Sequence, residues 1–256
     1  MSLPAASDLL LPLGMAAAAG LIGSIAVMRR MTLASDAISH VALPGITAAM
    51  LIGANPVAGG FVALVLGALL VWSVEQKTRV PTEAIIGVVF SAALAIGSML
   101  ASGEELIEAL FGAARRPSPA EAAVGLLAAA AVIVFAVRAR SRLVITLVSP
   151  DLARTIGINV ARTNLVFLLA FALTVALGLR YLGVLLMGSL IIIPAATGKL
   201  LARSLSGMRR VSVGSAMGSM LAGSLAAPAL GVERGPLVIA ASAAFFFASL
   251  LRRQET

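Results

Sequence analysis

The feature that most constrains this chain is a succession of apolar runs, each close to the length that crosses a lipid bilayer. A helix needs about 20 apolar residues to span roughly 30 Å of hydrocarbon. Nine runs approach that length: Leu9–Met28, Ala37–Ala54, Val57–Val74, Ala84–Ala101, Ala122–Val137, Leu165–Leu179, Leu182–Leu201, Val211–Leu230 and Pro236–Leu251. Backbone polar groups must be paired within a membrane, which favours helices. We therefore predict one all-α transmembrane domain over residues 1–256, with about eight or nine transmembrane helices.

Composition supports a polytopic membrane protein and excludes other classes. Of the 256 residues, 60% are hydrophobic and 12% are charged, and the mean hydropathy is +1.06. A soluble domain carries roughly 25% charged residues, so soluble and disordered chains are excluded. The sequence has no cysteine, which excludes disulfides and thiolate metal sites. Its single histidine, His40, excludes the two-histidine H-E-x-x-H site.

The formal net charge of +8 is explained by membrane orientation and not by a nucleic-acid partner. Nearly all lysine and arginine residues fall in one set of alternate loops. The exceptions are Arg115, Arg116, Arg180 and Arg234. Basic loops stay in the cytoplasm, so we expect the N-terminus outside and the C-terminus in the cytoplasm.

The second apolar run carries an ionisable pair. Asp36 and His40 are four residues apart, so they share one face of a helix and can reach one divalent cation. Pro44 has no N–H to offer the His40 carbonyl, which predicts a bend at that point. The alternative is that Asp36 caps the helix and His40 makes a polar contact inside the bundle.

Glu83 opens the fourth run, directly after Pro81 and Thr82. Its carboxylate is a third candidate metal contact. The alternative is a structural role, in which Thr82 caps the helix and Glu83 complements the helix dipole.

Two further signals concern helix packing. Pro194 lies in the middle of the seventh run, where it predicts a broken helix that lines a pathway or a simple kink. Gly214 and Gly218 form a G-x-x-x-G motif in the eighth run, with Gly223 further on, a pattern that suits close helix packing.

A short polar segment near 149–160 separates the fifth and sixth runs and carries signals for a capped helix. Ser149 suits the N-cap, Pro150 the first helical position, and Asp151 the positive end of the helix dipole. Gly157 is a suitable terminator. We predict a short helix on the cytoplasmic side, either a docking element or a plain surface helix.

The chain lacks the P-loop pattern G-x-x-x-x-G-K-[ST], so it cannot bind ATP in that manner. The nucleophile motif G-x-S-x-G is also absent, which argues against an intramembrane enzyme. An ion gradient or another subunit must therefore supply the energy for any transport.

Four segments together resemble the permease subunits of metal-type ABC importers, which take up zinc, manganese and iron in bacteria. The resemblance covers nearly the whole chain, from about residue 14 to residue 250. The segments are Arg29–Gly45, Glu83–Ser91, Asp151–Gly157 and Tyr181–Thr197.

The resemblance implies the vitamin-B12/siderophore-type permease fold and a multi-pass subunit of the bacterial cytoplasmic membrane. It implies a homodimer, separate ATP-binding cassette subunits that hydrolyse ATP, and an extracytoplasmic metal-binding protein. The cargo is a divalent metal ion, and the chain itself holds no cofactor. Matching positions make Asp36, His40 and Glu83 metal contacts, and Asp151, Ala153 and Gly157 the coupling contact with the ATPase.

One alternative function stays open at this stage. A gradient-driven secondary cation transporter or channel could use Asp36 and His40 as a proton or metal relay. It would work without an ATPase.

Overall fold

A computed structural model of the chain describes residues 6–31, 34–100, 118–181 and 184–253. These residues form helices and contain no strand, which confirms the predicted all-α class. The helices are α1 (Ala6–Met28), α2 (Ala34–Val41), α3 (Leu43–Leu51), α4 (Pro56–Lys77), α5 (Thr82–Leu100), α6 (Pro119–Arg138), α7 (Arg140–Val148), α8 (Pro150–Thr155), α9 (Val160–Tyr181), α10 (Val184–Leu201), α11 (Leu205–Leu230) and α12 (Arg234–Arg253).

Within the described residues, the nine predicted runs fall mainly in helices, and the second run is divided between α2 and α3. Among the described residues, seven helices are long and apolar enough to cross a membrane: α1, α4, α5, α6, α9, α11 and α12. The remaining two runs correspond to shorter apolar stretches, Ala37–Leu51 and Leu186–Leu201. The order of the runs is therefore confirmed, whereas seven of the nine have the length of a transmembrane helix in the described part of the chain.

Proline has different effects in the two shorter stretches. The second run is broken at Ala42, between α2 and α3, and Pro44 lies in the first turn of α3. This break confirms the predicted bend, because a proline N–H is not needed at a helix start. In contrast, α10 continues without a break through Pro194. Membrane helices tolerate an internal proline more readily than soluble helices do.

Helix α1 is the centre of the bundle, where it packs against α6, α9, α10 and α11. In its membrane-length window 72% of residues are buried within the chain, against 22% in α4 and in α6. A methyl group at Gly20 would meet the Ser212 carbonyl oxygen at 2.8 Å, and one at Gly23 would collide with the Ile191 carbonyl. Glycine therefore allows the backbones of α1, α10 and α11 to approach closely.

A second close approach joins α3 to α4. A methyl group on Gly45 would collide with the Gly59 carbonyl, and one on Gly59 with the Gly45 carbonyl. The glycines of α11 fulfil the packing prediction in part. A methyl group on Gly218 would meet the Phe245 ring at 3.3 Å, and one on Gly223 would collide with Val238, both in α12. A methyl group on Gly214 would meet nothing within 4 Å.

Candidate transport path and docking segment

His40 lies in α2, which packs against α5 and α10. Its half-buried ring contacts Phe90 of α5, with ring centroids 5.6 Å apart and planes tilted by 55°. Asp36 precedes it by one helical turn, so the predicted spacing on one helix is confirmed for the backbone. The side chain of Asp36 lies outside the described part of the structure.

Glu83 lies in the first turn of α5 and is exposed. Phe90, which contacts His40, follows seven residues later, or about 10 Å along the helix axis. His40 and Glu83 are therefore separated by about two helical turns along α5. Among the described residues, no three His, Cys, Asp or Glu side chains form a group that could hold a metal ion.

Thr82 does not have the capping role considered from the sequence. The Pro81 carbonyl accepts from the backbone N–H groups of Ala84 and Ile85, at 2.9 and 3.2 Å. The Thr82 hydroxyl instead donates to Glu75 Oε1 of α4, at 2.8 Å. Thr82 therefore connects the beginning of α5 to the end of α4.

This contact belongs to a group of four half-buried side chains that sequence reasoning missed. We call Arg29, Glu75, Thr82 and Asn164 the inner polar cluster. The Arg29 Nη1 donates to Asn164 Oδ1 at 2.9 Å, and Asn164 Nδ2 donates to Glu75 Oε1 at 3.3 Å. The guanidinium carbon of Arg29 also lies 4.5 Å from the centroid of the Phe167 ring, a cation–π contact. The cluster thus joins the end of α1 to α4, α5 and α9.

Arg29 directly follows the last residue of α1 and remains charged in this environment. Burial lowers the pKa of Arg29 to about 10, and the nearby charge of Glu75 acts in the opposite direction. A pKa of about 10 keeps the guanidinium cationic near neutral pH. The one available sequence signal was Glu75 itself, an acid placed just after an apolar run.

The predicted short helix is present as α8, and we call Ser149–Gly157 the capped segment. Ser149 has extended backbone angles, φ −150° and ψ 99°, and its Oγ accepts from the Leu152 N–H at 3.2 Å. Pro150 occupies the first turn, and Gly157 has φ +80°, the left-handed region that favours glycine. The capping signals read from the sequence are confirmed.

The capped segment turns charged side chains outward. Arg154 Nη1 lies 2.8 Å from Asp151 Oδ1, and these side chains are 66% and 88% exposed, respectively. Ala153 on the opposite side is fully buried. The segment is therefore anchored through one small residue and exposes Asp151 and Arg154 together with Leu152 and Ile156.

A short chain of contacts connects the capped segment to the bundle. The Ile158 N–H donates to the Ala153 carbonyl at 2.8 Å, just before α9 begins. The Trp72 indole N–H of α4 donates to the Ala161 carbonyl of α9 at 2.9 Å. Asn164 of the inner polar cluster follows one turn later. A displacement of α8 would therefore act on the same end of α9 that holds α1 and α4.

The helical bundle and the exposed capped segment together indicate the class of protein. A bundle of membrane-length helices around a central helix, with a capped helix exposed at one end, is a polytopic helical membrane protein. The ABC 3 transport family matches residues 7–253, and the chain belongs to that family.

Relatives and solved structures agree with this assignment. The chain is 28% identical over 243 residues to the high-affinity zinc uptake system membrane protein ZnuB of Haemophilus influenzae, covering 91% of this chain and 92% of the relative. It is 32% identical over 193 residues to the manganese transport system membrane protein MntC of Listeria monocytogenes, covering 74% and 69%. A chain of PsaBC from Streptococcus pneumoniae in complex with Fab matches with a TM-score of 0.80 and 25% identity, covering 95% of this chain and 89% of that one.

These comparisons confirm the resemblance to metal-type ABC permeases and the predicted permease fold.

Proposed function

We propose that this chain is the membrane-spanning permease subunit of an ATP-driven importer for a divalent transition-metal ion. Membership of the ABC 3 transport family over residues 7–253 is the observation that carries the proposal. Relatives named for zinc and for manganese transport support a cargo from the group of zinc, manganese and iron. Family membership also favours ATP over an ion gradient as the energy source.

The energy comes from partner subunits in this proposal. ATP is bound and hydrolysed on separate ATP-binding cassette subunits, and an extracytoplasmic binding protein delivers the metal. The capped segment docks on the ATPase through Asp151. Ala153 anchors the helix against the bundle, and Gly157 terminates it. Its exposed charged face and buried anchor suit that role.

The chain lies in the bacterial cytoplasmic membrane with its N-terminus outside and its C-terminus in the cytoplasm. This orientation follows from the basic residues, which also place the capped segment on the cytoplasmic side.

Asp36, His40 and Glu83 are contacts along the metal path, used one after another. Helices α2 and α5 both begin on the cytoplasmic side in this orientation, so His40, beside Phe90, lies deeper in the membrane than Asp36 and Glu83. A metal ion arriving from outside meets the imidazole first and the carboxylates later. Several weak contacts in series allow an ion to enter and to leave.

A second copy of the chain completes the path. One face of α5 carries Glu83, Ser91 and Ser98, which are exposed in the single chain, together with Gly87, where a methyl group would meet nothing within 4 Å. Small and polar residues are typical of helix contacts inside a membrane and of water-filled cavities. We place this face of α5 against the partner copy.

The test of the metal path is His40→Phe, which keeps an aromatic ring against Phe90 and removes the metal-binding nitrogens. We expect metal uptake, in a strain lacking the chromosomal gene, to fall at least about tenfold, the lower range for disturbed metal contacts. Expression and thermal stability should match those of the unmodified protein. Unchanged uptake would remove His40 from the path.

The test of the second copy uses the absence of cysteine, because one introduced thiol can pair only with its counterpart. We expect Ser98→Cys to form disulfide-linked dimers on mild oxidation in membranes. The control is Leu127→Cys on α6, where the native side chain is 72% exposed, and it should stay monomeric. Equal crosslinking of both variants would contradict a specific α5 contact.

The test of the energy source is reconstitution. The chain co-purified with its ATPase subunit should hydrolyse ATP faster when the binding protein is loaded with zinc, manganese or iron. Metal uptake into liposomes by the purified chain alone, without ATP, would instead support the gradient-driven alternative.

A further inference from the structure

A large open groove lies near the basic end of the bundle, beside the capped segment. Its volume is about 1190 Å³, and it is lined by the end of α6, the beginning of α7, the turn after α8 and the beginning of α9. This volume exceeds that of most drug-sized ligand sites, which reach about 1,000 Å³.

Three arginines line this groove: Arg138 from α6, Arg142 from α7 and Arg162 from α9. All three are exposed. Within the described ranges, none of their guanidinium groups makes an ion pair or a hydrogen bond. Three positive charges around one groove attract an anion. The arginines therefore make the groove complementary to a negatively charged group.

Asn159 and Thr163 add polar groups to the lining, and the turn after α8 adds Ile156, Gly157 and Ile158. The wall formed by the membrane-length parts of α6 and α9 is apolar. Ala131 and Val134 precede Arg138 by one to two turns of α6, and Val166 follows Arg162 by one turn of α9. Val134 and Val166 are 46% and 38% exposed. The groove thus has positive charge at one end and an apolar surface at the other. A phospholipid has the matching order, with a charged headgroup followed by apolar acyl chains.

We propose that this groove binds an anionic phospholipid of the cytoplasmic leaflet. Arg138, Arg142 and Arg162 hold the phosphate headgroup, and an acyl chain lies along Ala131, Val134 and Val166. Basic pockets between membrane helices on the cytoplasmic side are suited to anionic headgroups. The apolar wall belongs to membrane-length helices, which favours a lipid chain over the soluble ATPase subunit as its occupant. The inference goes beyond the proposed function and requires only the orientation given there, not the metal assignment.

The experiment is native mass spectrometry of the full-length chain in detergent, titrated with phosphatidylglycerol or phosphatidylcholine of identical acyl chains. The unmodified chain should retain more phosphatidylglycerol than phosphatidylcholine. Each basic residue near an anionic lipid contributes about fivefold, so Arg138→Gln, Arg142→Gln and Arg162→Gln together should weaken binding on the order of a hundredfold. Phosphatidylcholine binding should not change.

The matched control removes the same charge elsewhere, through Arg203→Gln, Arg209→Gln and Arg210→Gln near the beginning of α11. It should bind phosphatidylglycerol like the unmodified chain. A second variant, Ala131→Trp, fills the apolar part without changing charge and should also weaken binding, which decides the matter if the triple variant fails to fold.

Three results would overturn the proposal. The first is normal phosphatidylglycerol binding by either groove variant, or an equal loss in the control. The second is displacement of the lipid by glycerol phosphate at equal concentration, which would indicate an anion site without a lipid chain. The third is loss of the ATPase subunit from the triple variant while lipid binding stays normal, which would make the groove a protein interface.

Discussion

The inner polar cluster and the capped segment lie close together at one end of the bundle but are held by opposite kinds of contact. The cluster uses hydrogen bonds between residues that are up to 135 positions apart in the chain. The capped segment uses contacts such as Ser149 to Leu152, three residues apart, and Arg154 to Asp151. The cluster is half-buried between four helices, whereas the capped segment is mostly exposed.

This difference in contacts indicates that the inner polar cluster stabilises the bundle, whereas the capped segment serves docking. Long-range polar contacts fix how α1, α4, α5 and α9 are placed, so their loss should loosen the bundle. Local caps give a self-contained helix that can meet a partner without rearranging the bundle. Substitutions in the two regions should therefore have different consequences, and the following predictions test that separation in order of decreasing effect.

The largest loss of stability is expected for Glu75→Ala. It removes the acceptor of both the Thr82 hydroxyl and the Asn164 amide, together with the negative charge near Arg29. Leaving such groups without partners should lower the free energy of unfolding by about 2–3 kcal/mol. Thermal unfolding in detergent measures the effect. Glu83→Ala, an exposed acid at the beginning of α5, is the control and should melt normally, so equal losses would contradict the role of the cluster.

A smaller loss is expected for Asn164→Ala, which removes one acceptor and one donor from the cluster. We expect a decrease of about 1–2 kcal/mol in the free energy of unfolding. The double variant with Glu75→Ala should lose less than the sum, because both substitutions break the same hydrogen bond. Strict additivity in thermal unfolding would show that these residues do not act together.

Gly157→Val should leave the bundle stable and disturb the capped segment. The φ of +80° is strained for a β-branched residue by roughly 1–3 kcal/mol, which the local turn can relieve by changing shape. We expect weaker co-purification of the ATPase subunit with a nearly unchanged melting temperature. Gly214→Ala, on an open helix face, should change neither quantity. A large drop in melting temperature for Gly157→Val would show that the segment is not independent.

The smallest effect on stability is expected for Asp151→Asn. Its partner Arg154 is also exposed, and exposed ion pairs contribute about 0–1 kcal/mol. The melting temperature should therefore stay the same, while co-purification with the ATPase subunit weakens if Asp151 is a docking contact. Normal docking would remove Asp151 from the interface without affecting the rest of the capped segment.

The same contrast explains how much of the molecule could be predicted from its sequence. The apolar runs and the capped segment depend on residues close together in the chain, such as Ser149, Pro150 and Gly157, so local rules were sufficient. The Arg29–Asn164 contact depends on how distant helices pack, and no periodicity or spacing indicates such a pair. Gly214 failed as a packing signal for the same reason, since its motif does not specify the neighbouring helix.

The metal contacts stay a prediction, and the structure tests only where their residues lie. The spacing of Asp36 and His40 placed them on one helix, and that placement is confirmed. The distance from His40 to Glu83 depends on which residue of α5 meets the histidine ring, and only the packing at Phe90 defines it. Pro44 and Pro194 also differ in position, because Pro44 lies in the first turn of α3 while Pro194 lies inside α10.

The central position of α1 has a consequence for how the protein is made. Gly23 is synthesised long before Ile191, which later packs against it. At about 5–20 residues per second, the roughly 170 residues between them take on the order of 10–30 s to translate. During that interval, lipid chains or the insertion machinery must cover the small-residue face of α1. A ribosomal pause before α10 would prolong the time during which this face of α1 lacks its partner helix. Slow codons just before α10 are therefore expected to lower the yield of correctly assembled protein.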